Sequence, residues 1–108
     1  MKQINYNQHY IDDEDILRVK KVLKSNLLTQ GDEVLKFEKS LSNHFGSKYC
    51  AAVSSGTAAL HLLAICLNWK KGDCIITPAI SFVATSNCII HQKAKPIFVD
   101  INLKTYTL

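Results

Sequence analysis

The segment Val53-Ser54-Ser55-Gly56-Thr57-Ala58-Ala59-Leu60 holds the residue types that speak most directly of chemistry. A short apolar stretch runs into a Ser-Ser-Gly-Thr turn, and a helical pattern begins at once. The first N–H groups of a helix have no partners inside it and point out of its N-terminus. With the positive end of the helix dipole and a hydroxyl from Ser55 or Thr57, they make a cradle for an anion, most simply a phosphate. Gly56 lets a ligand come close to the backbone. The same residues also suit an ordinary Ser/Thr helix cap, and an isolated Ser-Gly-Thr favours that simpler reading. A P-loop and a G-x-G-x-x-G fingerprint are both excluded, because their glycines and lysine are missing.

A second group, Thr77-Pro78-Ala79-Ile80-Ser81-Phe82-Val83-Ala84-Thr85-Ser86-Asn87, leaves the C-terminal end of another strand. Ligands of open α/β sheets bind at that carboxyl edge, where the anion cradle also belongs. Phe82, expected at a helix start, offers a flat face for stacking on a heteroaromatic cofactor. A plain core phenylalanine is the alternative. The pairing of the two segments on one edge says more than either says alone.

The elements that must position these residues follow from periodicity. After a polar arm over residues 1–11, Asp12 and Asp13 offer cap oxygens, and Ile16, Val19 and Leu23 recur at helical spacing. Asp12 and Asp15 resemble a short-armed capping box, and Lys20, Lys21 and Lys24 suit the end of the dipole. The helix is expected to stop near Ser25-Asn26. Leu27-Leu28-Thr29-Gln30-Gly31 forms a loop with two large apolar residues. A second helix is expected from Asp32, with Val34, Phe37, Leu41 and Phe45 on one face and Gly46 as a left-handed cap. Beyond it the pattern alternates: a buried strand over 49–54, a helix over 56–68 and a turn at Lys71-Gly72-Asp73. A strand over 74–77 follows, closed by Pro78, then a helix over 82–92 and a third strand over 95–100. Short apolar strands between helices indicate an α/β fold with a parallel or mixed sheet covered on both faces.

Composition narrows the class. The chain has 108 residues, 47% hydrophobic and 20% charged, with a net charge of +4, as in a packed globular protein. Its basic residues (Lys20, Lys21, Lys24, Lys36, Lys39, Lys70, Lys71, Lys93 and Lys95 among them) form no run and no aromatic-laced patch, so no nucleic-acid surface is expected. Cys50, Cys66, Cys74 and Cys88 make no C-x-x-C pair and have no finger spacing with histidine. Buried, reduced thiols are expected, with no metal site. Residues 1–10 lack the apolar core of a signal peptide, and no apolar run reaches membrane length. A soluble, cytoplasmic protein with no membrane partner is expected.

The ordered set Leu28-Thr29-Gln30-Gly31, Phe37-Glu38, Ser55-Gly56-Thr57-Ala58-Ala59-Leu60-His61, Gly72-Asp73, Thr77-Pro78, Ser81-Phe82-Val83-Ala84-Thr85-Ser86-Asn87 and Ala94-Lys95-Pro96-Ile97-Phe98-Val99-Asp100 resembles the DegT/StrS family of sugar aminotransferases. The likeness runs from about Asp12 to Tyr106. It implies the N-terminal part of the large domain of the aspartate-aminotransferase-like, fold type I, pyridoxal-phosphate-dependent transferase fold. That fold has a mixed, mostly parallel sheet flanked by helices. On this reading residues 1–11 are an arm and 12–108 an incomplete large domain, truncated at its C-terminus. Among subfamilies, the Leu-Thr-Gln-Gly loop and the Thr-Pro-x-Ile-Ser-Phe-Val-Ala-Thr-x-Asn run most resemble the pseudaminic-acid-pathway aminotransferases. Those enzymes aminate C4 of a UDP-linked 4-keto-6-deoxy-N-acetylhexosamine.

The resemblance assigns the phosphate of pyridoxal 5'-phosphate to Gly56, Thr57 and Ala58, through backbone N–H groups and the Thr57 hydroxyl. It assigns ring stacking to Phe82 and a place near the sugar-nucleotide entrance to Thr29, Gln30 and Gly31. His61 reads as packing, and Asp100 as a brace at a strand end. Cys74 and Cys88 depart from the family's usual residues without touching the expected chemistry. The family's catalytic lysine and the acid that pairs with the pyridine nitrogen fall beyond Leu108. No residue here is therefore expected to be catalytic, and the piece alone is expected to be inactive. The implied partners are a nucleotide sugar, an amino-acid amine donor such as glutamate, and a second copy of the full-length protein. Two other readings stay open: a dehydratase of the same family, with histidine in place of the lysine, and a non-enzymatic phosphate- or nucleotide-binding α/β module.

Overall fold

The computed structural model describes residues 5–108, so the first part of the expected arm lies outside the described residues. The chain divides into two compact units, Met1–Ala52 and Val53–Leu108.

The first unit carries two helices. Asp12 caps α1 (Asp13–Leu23) with the expected box: its Oδ1 accepts the Asp15 N–H at 3.1 Å, and its own N–H donates to Asp15 Oδ2 at 3.3 Å. Helix α2 (Asp32–Phe45) starts after Gly31 and ends at Gly46, which takes the left-handed conformation at φ 64. No residue of either helix is buried.

Residues 49–54 form no strand, contrary to the sequence reading, and Tyr49 is 78% exposed. A strand needs a ladder partner, and among the described residues none pairs with this segment. The Ala52 N–H is met by a side chain instead, donating to Glu38 Oε1 at 2.7 Å.

The second unit runs α3 (Gly56–Cys66), β1 (Cys74–Pro78), α4 (Ala84–His91) and β2 (Lys95–Val99). The strands pair in parallel, Cys74 beside Lys95 through Pro78 beside Val99. Pro78 is thus the last residue of β1 rather than a residue outside it. It lacks an N–H to donate, and the Ala79 N–H continues the ladder to Val99 O at 2.9 Å.

Both helices turn back to a strand through the same device. Asn68 follows α3 at φ 55, with its N–H on Ile65 O and the Trp69 N–H on Ala64 O. Lys93 follows α4 at φ 59, with its N–H on Ile90 O and the Ala94 N–H on Ile89 O. This paired bonding closes the last carbonyls of each helix and steers the next residue inward. Ala94 accordingly joins Ala64, Cys88 and Ile89 in the core, with Leu60, Trp69 and Ile75 packed against them.

The fold is the expected parallel α/β arrangement, but two strands and two helices cover only one side of β1. Ile75 is half-buried and Thr77 buried, while Cys74 and Ile76 between them are exposed. Cys74 is exposed for that reason, and the expectation of four buried thiols fails. All four cysteines are free, yet only Cys88 is buried; Cys50 is half-buried, and Cys66 and Cys74 are exposed.

Candidate functional site

The N-terminus of α3 is built as the sequence implies. Ser55 is extended and caps the helix: its Oγ accepts the Ala58 N–H at 3.1 Å, and its carbonyl accepts the Ala59 N–H at 3.1 Å. The Ala58 N–H is therefore already engaged. The Gly56 and Thr57 N–H groups, at the first two helical positions, have no acceptor among the described residues. A Cβ placed on Gly56 would meet no protein atom within 4 Å, and its φ is not in the left-handed region. Neither internal crowding nor backbone conformation calls for glycine here. The opposite holds at Gly31, where a Cβ would stand 3.3 Å from Leu27 O, so the loop itself requires the missing side chain.

Phe82 stands just before α4 rather than inside it, because the helix begins at Ala84 with Val83 as its cap. The chain is already turning there: the Phe82 carbonyl accepts the Thr85 N–H at 3.0 Å, and the hydroxyls of Ser81 and Thr85 are 2.8 Å apart. These bonds hold the loop while the Phe82 ring stays 74% exposed.

Thr57 and His61 lie one turn apart on α3, and Ala84, Asn87, Cys88 and His91 recur at helical spacing on α4. With Phe82 and Val83 they line one groove of about 230 Å³. The fold thus brings together Thr57 and Phe82, the two side chains expected to hold a phosphate and a ring. His61 is exposed and packs beside His91 in the groove, and Cys88 belongs to the groove wall. His91 gave no signal in the sequence; its spacing from Ala84, Asn87 and Cys88 was the available clue. No lysine or carboxylate lines the groove.

Thr29, Gln30 and Gly31 lie in the other unit, in the connection between α1 and α2. Thr29 and Gln30 are exposed, and Gln30 is left-handed at φ 53. Of the three, only Gly31 lines the local cleft of about 530 Å³, together with Ser25, Leu27, Leu28 and Asp32. Among the described residues of this unit, Arg18 pairs with Glu14 at 2.7 Å and Lys36 with Glu33. The hydrogen bond and charge of Lys36 hold the Glu33 carboxyl below its ordinary range, and Glu33 in turn raises Lys36. Glu14 raises Arg18 in the same way.

The sequence profile of the DegT/DnrJ/EryC1/StrS aminotransferase family matches residues 9–108. This chain belongs to that family. A UDP-4-amino-4-deoxy-L-arabinose–oxoglutarate aminotransferase of Shewanella sediminis is 39% identical over 92 residues, covering 85% of this chain and 24% of its own length. The PLP-form structure of a putative sugar aminotransferase, Spr1654 of Streptococcus pneumoniae, superposes with a TM-score of 0.85 at 31% identity. The match covers 95% of this chain and 26% of that one. The E. coli GDP-4-keto-6-deoxy-D-mannose-3-dehydratase with bound hydrated PLP gives a TM-score of 0.85 at 34% identity, over 92% of this chain and 27% of that one. The DegT-family chain described here spans about a quarter of the length of these relatives. No helix among its described residues is long and apolar enough to cross a membrane.

Proposed function

We propose that this chain is the phosphate-gripping part of a pyridoxal-phosphate-dependent nucleotide-sugar aminotransferase. The observation that carries the reading is the groove that Thr57 and Phe82 share at the free N-terminus of α3. Gly56 and Thr57 donate their N–H groups to the phosphate, the Thr57 hydroxyl adds a third donor, and the helix dipole favours the negative charge. Ala58 contributes through Ser55, whose cap bond keeps the first turn in shape. Phe82 covers one face of the pyridine ring. When bound, the cofactor supplies the electron sink that lets an amino group pass between carbon atoms. The residues of this chain hold and orient it, and no lysine or carboxylate lines the groove.

The substrate class we infer is a UDP-linked 4-keto-6-deoxy sugar, aminated at C4 with glutamate as donor, as in pseudaminic acid or cell-surface glycan synthesis. The Shewanella relative, named for a UDP-linked amino sugar, supports the nucleotide-sugar part of this reading. Exposed Thr29 and Gln30, with Gly31, are assigned to the sugar-nucleotide entrance. The working form is a cytoplasmic homodimer of the full-length protein. A dehydratase is the second reading, favoured by the equal TM-score of the E. coli dehydratase.

The deciding experiment incubates the full-length protein with pyridoxal phosphate, glutamate and a UDP-4-keto-6-deoxy sugar, and analyses the product by mass spectrometry. An amino sugar together with 2-oxoglutarate is expected. A deoxygenated keto sugar with no nitrogen gained would overturn the aminotransferase reading in favour of the dehydratase.

A further inference from the structure

His61 and His91 are far apart in the sequence and on different helices, and no metal motif includes them. Packing of α3 on α4 brings their rings together, with centroids 5.1 Å apart and planes tilted by 41°. Both side chains are exposed and both line the groove. An imidazole nitrogen binds zinc at about 2.0–2.1 Å, and two rings held on one tetrahedral ion have centroids roughly 5 Å apart. The centroid spacing found here falls in that range.

The neighbouring groups set the character of such a site. The Cys88 thiol is buried and donates to Thr85 O at 3.2 Å, so it is committed elsewhere. Among the described residues no group of three or more His, Cys, Asp or Glu side chains is placed to hold a metal. The described residues thus offer two protein ligands, and water would complete the coordination around them. Imidazole ligands favour zinc, copper or nickel over magnesium and calcium, which take oxygen ligands.

We propose that His61 and His91 chelate one divalent transition-metal ion of the zinc class, tying α3 to α4 within the groove. The pair lines the same groove as the proposed cofactor cradle, so the test is run without pyridoxal phosphate, which keeps its failure distinct from failure of the aminotransferase reading. An ion that binds the folded form alone raises the unfolding temperature as its concentration exceeds its dissociation constant.

The test titrates zinc chloride into the chelator-treated full-length protein, without pyridoxal phosphate, by calorimetry and thermal unfolding. One zinc ion per chain and a zinc-dependent rise in Tm are expected, with magnesium chloride silent in both. His61→Ala and His91→Ala should each abolish the binding, whereas His44→Ala, on α2, should retain it. Circular dichroism checks that the variants keep their helices, and His61→Gln and His91→Gln replace any that do not. Copper bound to the unsubstituted protein should show electron paramagnetic resonance coupling to two imidazole nitrogens. Absence of that coupling, absence of zinc binding, or zinc binding untouched by loss of either histidine would each overturn the proposal.

Discussion

Replacing Gly56 by alanine separates what this glycine does for the fold from what it does for a ligand. A Cβ there meets no protein atom within 4 Å, and the backbone is outside the left-handed region. Alanine fits without strain and narrows the freedom of the unfolded chain, so Gly56→Ala should stabilise the ligand-free protein by about 0.4–1 kcal/mol. Binding should move the other way. The added methyl occupies the space through which a phosphate reaches the Gly56 and Thr57 N–H groups. A hydrogen bond to a charged group contributes about 1.5–3 kcal/mol. Loss of one such bond should raise Kd about 10- to 100-fold. Urea unfolding without ligand gives the first quantity, and equilibrium titration with pyridoxal phosphate gives the second. Opposite signs in the two measurements are the expected result. If Gly56→Ala weakens the fold and leaves the affinity unchanged, the glycine serves the turn alone and the cradle argument is refuted.

Three further outcomes follow from the same geometry. Phe82→Ala should change stability by less than about 0.5 kcal/mol, because the ring is 74% exposed. The same change should weaken pyridoxal phosphate by the roughly 0.5–1.5 kcal/mol of an aromatic stack, read by titration. Thr77 is 2% exposed, and its Oγ1 has no partner among the described residues. Thr77→Val, which replaces that hydroxyl by a methyl of similar shape, should leave urea stability unchanged or raise it by about 1 kcal/mol; a clear loss would reveal an acceptor that the hydroxyl serves. The lowered Glu33 carboxyl would add stability above its unfolded pKa and lose it as pH falls through the folded value. Because Glu33 and Lys36 are both exposed to solvent, that contribution is screened, and Glu33→Gln should leave acid unfolding curves superimposable on the parent's.

Local chemistry alone determined much of this protein. The Asp12–Asp15 box, the Gly46 stop and the Ser55 cap are decided within a few residues, so α1, α2 and α3 begin or end where the side chains require. The proposed anion cradle is local in the same sense, since it would consist of the unpaired N–H groups that any helix start exposes. The ordered motifs also disclosed the family. Everything that depends on distant partners was left to tertiary structure. Residues 49–54 have strand composition, but a strand exists only where another backbone takes its hydrogen bonds, and none among the described residues does so. Cys74 and Ile76 look as apolar as Ile75 and Thr77, yet the side on which α4 packs decides which are covered. The meeting of Thr57 with Phe82, and of His61 with His91, is of this second kind. Helical spacing gives each helix its own row of side chains, but only the packing of α3 on α4 turns two rows into the walls of one groove.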